Sequence, residues 1–417
     1  MLKPASIYLW EGKYKKAMIF TLYFITSNMT THLAAVIPAK GQPFEVQARP
    51  TPKPGPDEIL IAVKSVALNP ADCHMRDHGL FIPHYPTVVG FDISGLVLEI
   101  GAKVPIGAHR TDGLSDDKPS FQPGVTRVAA YAASFWRSCG PDYGAFQERC
   151  LVPWQHAMPI LDENISWNEA ATLPVAVEVP LNAWEVMGIS RAGEAAPAAT
   201  VSPAWTSGEQ KQNRNKNEAL LIWGASSSVG SMGVQSAQLL REDPKSSFGA
   251  VYATAGSSNK NYVVSLGADR VFDYKDPEVV DAIVSAAKKD GFAIRHCFLA
   301  TGQLASCQAV LKAFLGPDRE WVEARTAKIA SAPMVPSDAE ILDGLETIFL
   351  MPSAVEEERL EHFCHMGTWL TENLAKWTIR PSPELRVVGK GLEAINSGLD
   401  MLLRGVSCEK LVVEVGE

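Results

Sequence analysis

The chain has 417 residues, 46% of them hydrophobic and 20% charged, and a formal net charge of −9. That length leaves room for two domains, each burying its own core, and the acidic balance excludes a nucleic-acid surface, which needs a basic stripe to displace counterions from phosphates. Seven cysteines with no C-x-x-C pair offer neither a disulfide framework nor a structural zinc lobe and fit a reducing compartment, so the expected location is cytoplasmic.

At the amino terminus Lys13, Lys15 and Lys16 precede AMIFTLYFI, which has the charged and apolar parts of a signal peptide without a small-x-small site close behind. The run is shorter than the roughly 20 apolar residues that cross a bilayer, so no stable membrane span is expected. Residues 1–32 read as a leader outside the folded part, disordered, or as a mis-called start with Met29 the natural beginning; targeting or anchoring is the other reading.

From residue 33 to 165 short apolar runs, HLAAVIP, EILIAVKSVALN, ISGLVLEIG and FQERCLVP, are punctuated by Pro, Gly and Asp, which reads as a β-rich barrel or sandwich. A capping-box pattern, Ser166 with Glu169 three places on, then opens the helically spaced SWNEAATLPVAVEVPLNAWEVMG. A second domain is expected over 166–375, interrupted by a polar, aperiodic insertion at 190–217 that reads as flexible. Beyond that insertion ALLIWG, GAVYATAG, DRVFDY and FAIRHCFLA alternate with helical segments, the signature of a parallel sheet covered on both faces. The tail, 376–417, turns strand-like again in ELRVV and EKLVVEV and is expected to return to the first domain.

Between ALLIW and the helix that follows stand Gly224, Ala225, Ser226, Ser227, Ser228, Val229 and Gly230. In a parallel α/β sheet such a strand-to-helix turn presents free N–H groups backed by the helix dipole, and small residues let a diphosphate approach. A turn that only joined strand to helix would tolerate larger polar side chains. An NAD site carries an acid about 20 residues on to bind the ribose 2′-hydroxyl, whereas here no acidic residue occurs from Pro244 through Ala268. Gly256, Ser257, Ser258, Asn259 and Lys260 offer donors instead, with Tyr274 placed to cover the same phosphate, so NADPH is the expected cofactor; a solvated surface loop is the alternative.

These residues resemble the medium-chain dehydrogenase/reductases, and within them the zinc-free enoyl and quinone reductases. The likeness runs from about Leu33 to the carboxyl end through LNPADCHMRDHG, YPTVVGFDISGLVLEIG, DYGAFQERCLVP, WGASSSVGSMGVQSA, SLGADRVFDY and GLEAINSGLDMLLRGVSCEKLVV, and is nearest to fungal trans-acting enoyl reductases of polyketide pathways. The resemblance implies a GroES-like β-barrel domain and a Rossmann domain with NADPH between them. It places Asn69, Pro70, Ala71 and Asp72 on the nicotinamide side, Ser226 to Val229 on the diphosphate, and Gly256 to Asn259 with Tyr274 at the 2′-phosphate. Val406 and Ser407 close over the cofactor, and Leu181, Asn182, Ala183 and Trp184 face substrate. Tyr143 is the candidate proton donor or orienter, a core tyrosine being the alternative.

Where the zinc-dependent branch carries its ligands, this chain has Asn69 to Asp72 and Gly90, Phe91 and Asp92. Cys73 with His74 and His78, and His362 with His365, are the nearest lookalikes, and neither names the three or four convergent ligands zinc needs; no metal is expected. Without a Lewis acid, conjugate reduction of an activated C=C is better supported than alcohol oxidation, because it needs mainly a positioned hydride and a polarised carbonyl. The expected activity is therefore reduction of α,β-unsaturated carbonyl compounds, with thioesters on a polyketide synthase as the substrates. Alternatives are a quinone or aldehyde reductase and a catalytically silent NADPH-binding sensor or scaffold; monomer and homo-oligomer stay open.

Overall fold

The computed structural model describes residues 30–107, 119–190, 216–315 and 326–416. The leader as far as residue 29 and the body of the insertion, 191–215, lie outside the described residues. β1 (Thr31–Val36) and β2 (Glu45–Pro50) pair antiparallel, so the first strand starts two residues inside the segment expected as leader, and His32 is already buried.

The barrel is built on β3 (Glu58–Ala67), whose EILIAVKSVA is buried along most of its length. It is followed by α1 (Pro70–His78), β4 (Asp92–Ile100), β5 (Arg127–Tyr131), β6 (Arg149–Pro153) and β7 (Ala157–Pro159). Ser166 caps α2 (Trp167–Ala171), accepting the Glu169 N–H at 3.2 Å while the Glu169 carboxylate takes the Ser166 N–H at 2.8 Å. The single helix expected here is two, because Pro174, with no N–H to donate, starts α3 (Pro174–Val186) afresh.

The second sheet follows the expected alternation: β8 (Glu218–Trp223), α4 (Ser228–Glu242), β9 (Phe248–Ala255), α5 (Lys260–Ser265), β10 (Arg270–Asp273), α6 (Val279–Asp290), β11 (Ala293–Leu299), α7 (Leu304–Lys312), β12 (Ala327–Ser331) and β13 (Leu345–Phe349). Its order is β10-β9-β8-β11-β12-β13, and all neighbours are parallel. β8 is buried on both faces, which is why it reads as an unbroken apolar run. Leu220 and Ile222 pack with Val234 and Ala237 of α4, while Ala219, Leu221 and Trp223 pack with Ile283 of α6 and Leu311 of α7.

The chain then returns through α8 (Glu356–Ala375), β14 (Glu384–Lys390), α9 (Ala394–Leu403) and β15 (Glu409–Glu414). β15 pairs antiparallel with β3, Val412 opposite Ala67, completing a sheet of order β14-β15-β3-β4-β5-β7 with β6 on the flank of β3. Phe363, Met366 and Leu370 of α8 sit in the barrel core. The last helix of the span assigned from sequence to the second domain therefore packs on the first.

Candidate active site

Gly224 leaves β8 at φ +81°, a left-handed geometry that glycine enters without the Cβ penalty. Its N–H donates to Thr254 Oγ1 at 3.0 Å, and the Ala225 N–H to Thr254 O at 2.8 Å, so the turn is braced against β9. Ser227 caps α4: its hydroxyl accepts the Gly230 N–H at 3.1 Å and donates to Gly224 O at 2.8 Å. First-turn N–H groups have no acceptor within the helix, and Ser226, Ser227, Ser228 and Val229 are all partly open to solvent. A Cβ on Gly230 would stand 2.3 Å from Gly224 O, and one on Gly233 2.9 Å from the Phe298 ring. Turn and helix thus approach the sheet as closely as backbone allows, and the residues present fit a diphosphate at the N-terminus of α4.

At the end of β9, Gly256 to Asn259 form a single 3-10 turn running into α5, and Tyr274 lies over Gly256, whose Cβ would meet its ring at 3.7 Å. Asn259 Nδ2 donates to Ser407 Oγ at 3.1 Å, which brings a residue of the tail to the expected cofactor loop. The sheet also supplies an acid that β9 lacks. Asp273 stands opposite Ala255 in the parallel register and accepts the Ser257 hydroxyl. That hydrogen bond, helped by the Lys275 N–H and the charges of Lys260 and Lys275, holds the Asp273 carboxyl below its usual range. The charges of two ammonium groups, those of Lys260 and Lys275, thus act on this one carboxylate.

Where the nicotinamide is expected, Asn69 ends the connection from β3, and its side chain is fully engaged. Its Oδ1 accepts from Lys410 Nζ at 2.6 Å and its Nδ2 donates to Asp92 Oδ2 at 3.0 Å. Lys410 also meets Asp92 Oδ2 at 3.0 Å, and Asp92 Oδ1 accepts the Val175 N–H at 2.7 Å. One buried network therefore joins α1, β4, α3 and β15. Asp72 Oδ2 accepts the Asn69 N–H at 2.7 Å while Oδ1 has no partner among the described residues; burial pushes its carboxyl up to about 7. Pro70 is exposed and Ala71 half-buried beside them. Asp92 and Lys410 carry this arrangement and were not expected from sequence as site residues.

Tyr131, opposite Asp92 in the β4–β5 register, is the tyrosine the structure brings to this cluster. Its phenol is raised well above its ordinary value, first by burial and then by the carboxylates of Glu178, Asp92 and Asp72. Tyr143 does not join them. Its hydroxyl donates to Glu58 Oε1 at 2.8 Å, and burial followed by that bond raises it to about 12. Glu58 begins the ten-residue β3 that ends at Ala67, so at about 3.3 Å per residue the two tyrosine positions sit near opposite ends of a strand about 30 Å long. Sequence order could not show this, because the strand pairing decides which tyrosine the site receives.

The four residues expected to face substrate are placed apart. Leu181 and Trp184 line a small cavity with Leu239, Leu240, His362 and Trp369, the Trp184 indole donating to Ser236 Oγ at 3.1 Å. Ala183 is core under the parallel sheet and Asn182 is buried on α3, so these four do not share one open face. Val406 packs against the barrel core. Among the described residues no group of three or more His, Cys, Asp or Glu is arranged to hold a metal ion. Cys73 is buried, with its thiol pushed up to about 12 by burial and directed at Leu399 O, 3.6 Å away; His362 is bound to Glu185 at 2.8 Å.

Comparison with known proteins agrees with the geometry. Residues 55–162 match the alcohol dehydrogenase GroES-like domain. The chain is 38% identical over 387 residues to the trans-enoyl reductase tndF of Aspergillus flavipes, covering 92% of this chain and 98% of that one. It is 40% identical over 331 residues to the trans-enoyl reductase tazE of Aspergillus terreus, covering 79% and 94%. Among solved structures it is similar to an alcohol dehydrogenase superfamily protein from Novosphingobium aromaticivorans, with TM-score 0.67, 18% identity and coverage of 93% and 100%. The CurK enoyl reductase superposes with TM-score 0.64 at 14% identity, covering 93% and 99%.

Proposed function

The chain belongs to the medium-chain dehydrogenase/reductase superfamily, close to its fungal trans-enoyl reductases, and from that premise we propose that it is an NADPH-dependent, zinc-independent reductase of α,β-unsaturated thioesters carried by a polyketide synthase. The superfamily is one of oxidoreductases using a nicotinamide cofactor, which supplies a hydride when bound. The observation that carries the reading is the Gly224–Gly230 turn at the head of α4, where added Cβ atoms meet backbone and helix N–H groups face outward.

In this reading Ser226 to Val229 hold the diphosphate, Ser257, Asn259, Lys260 and Tyr274 the 2′-phosphate end, and Ser407 closes on Asn259. The choice of NADPH is supported by the Lys260 and Lys275 ammonium groups, whose charges act at Asp273 beside Ser257. Zinc independence is supported by the donor set: where the resemblance puts the cysteine and histidine ligands of the zinc-dependent branch, this chain has Asn69, whose amide oxygen is taken by the Lys410 ammonium, and Phe91, whose side chain has no donor atom. The Asn69–Asp92–Lys410 network fixes the floor on which the nicotinamide would rest, and fixed polar groups of this kind lower a barrier without reorganising.

The test is NADPH oxidation by the purified protein with crotonyl-pantetheine, menadione and an aldehyde in parallel. Turnover on the thioester with saturated product supports the reading. Turnover on quinone or aldehyde alone replaces it with a detoxifying reductase, and calorimetric NADPH binding without turnover on any of them replaces it with a sensor.

A further inference from the structure

Helices α3 and α8 hold a second set of ionisable groups. Glu178 on α3 is 2% exposed, and its Oε1 has no hydrogen-bond partner among the described residues. Positions 178, 182 and 185 share one face of the helix. From α8, His362 reaches across. Its Nδ1 lies 2.8 Å from Glu185 Oε2, and its Nε2, also without a hydrogen-bond partner among the described residues, lies 4.0 Å from Glu178 Oε1. That gap is too long for a direct hydrogen bond and is spanned by one water or by rotation of the glutamate. The Glu185 side chain is 51% exposed, so the set begins in solvent and ends in the core.

The buried end lies toward the barrel, where α3 packs on β5, the strand of Tyr131, and Val177 shares its core. Burial pushes the Glu178 carboxyl up to about 7, so it takes and gives a proton near neutrality. Its charge acts on the Tyr131 phenol, on which Asp92 and Asp72 also act. The Tyr131 ring packs on Phe363, the neighbour of His362, with centroids 4.9 Å apart. The other charges nearby are Arg359 and Arg137, which together with burial lower His156 to about 3 and keep it neutral, and Lys410, which is held by Asn69 and Asp92.

Conjugate reduction takes a hydride from the cofactor at the β-carbon and a proton at the α-carbon; one C=C bond is consumed, two C–H bonds form, and the cofactor leaves oxidised. The proton comes from water, and a buried donor has to be reloaded once per turnover. We propose that Glu185, His362 and Glu178 form a proton-delivery relay to Tyr131, whose hydroxyl protonates the α-carbon after hydride transfer. The inference rests on the enoyl-reduction reading above. The phenolate left behind takes the Glu178 proton, Glu178 is reprotonated from His362, and His362 from Glu185 and bulk water.

The experiment uses the full chain, NADPH and crotonyl-pantetheine. His362→Ala should lower kcat about tenfold or more, leave the KM for NADPH and the melting temperature within error, and regain kcat when imidazole is added. Glu178→Gln, nearly isosteric, should lower kcat similarly without rescue, and covers the case in which His362→Ala folds poorly. Tyr131→Phe should cut kcat most. Wild-type kcat in His362→Ala and Glu178→Gln, or a loss in His362→Ala that imidazole does not reverse, overturns the relay while leaving enoyl reduction standing. A wild-type protein without turnover on the thioester overturns the reading and the relay together.

Discussion

Lys410 and Asp92 form an ion pair 3.0 Å long with side chains 4% and 0% exposed, so the carboxyl-terminal strand is tied to the start of β4 by charge in the interior. Removing one partner of a buried pair leaves the other desolvated and uncompensated, a cost of about 3–5 kcal/mol. Lys410→Met should lower stability by about that amount in urea denaturation, and Lys410→Met with Asp92→Leu should recover much of it. A Lys410→Met loss below about 1 kcal/mol would show that solvent reaches the pair.

Gly230→Ala should weaken the binding of NADPH at least about tenfold by calorimetry, because a Cβ there would stand 2.3 Å from Gly224 O and the turn has to move. Gly233→Ala meets a ring instead of backbone, 2.9 Å away, and should cost stability more than affinity, about 1–3 kcal/mol as overpacking does.

At the 2′-phosphate end, Lys260→Ala should raise the Kd for NADPH several-fold and leave that for NADH unchanged, since only the phosphorylated ribose brings a charge for the ammonium to meet. Asp273→Asn should act in the opposite sense. At about 4 Å and surface dielectric a single like-charge contact is worth about 1–4 kcal/mol, so relief is measurable as a shift in the NADPH-to-NADH preference.

Stability should depend on pH through Glu178. Its folded pKa, about 7, lies above the ordinary 4.5, so the folded state binds more protons than the unfolded one between those values and loses stability as pH rises through them. At 1.36 kcal/mol per unit the effect is on the order of 3 kcal/mol. Glu178→Gln should match wild type near pH 4 and exceed it near pH 8 by chemical denaturation. Asp72 works in the same direction, whereas His156, lowered to about 3, gains stability as pH rises.

Tyr143→Phe should leave turnover within about twofold and cost about 1 kcal/mol from the lost bond to Glu58. A drop of tenfold or more would restore Tyr143 to the chemistry.

Local signals carried much of the architecture. The unbroken apolar run of β8, the Ser166–Glu169 cap and the small-residue turn are each local, and each appears where the spacing put it. The strand-like runs ELRVV and EKLVVEV led to the expectation that the tail returns to the first domain, and β15 pairs with β3 there. What sequence could not show depends on pairing between distant strands. Asp273 reaches Ser257 from the neighbouring strand of the parallel sheet, Lys410 reaches Asp92 across more than 300 positions, and Tyr131 rather than Tyr143 lies beside the acids. Pro174 is visible in the sequence, and the single helix expected there passes over its missing N–H, which starts α3 afresh.

The Asn259–Ser407 hydrogen bond joins the loop after β9 to the chain just before β15. A dinucleotide seated there would grip parts of both halves at once, and binding energy shared in this way couples their unfolding. Saturated with cofactor, the two lobes should melt in one calorimetric transition; stripped of it, or with Ser407 replaced by alanine, the endotherm should broaden as each lobe loosens on its own schedule.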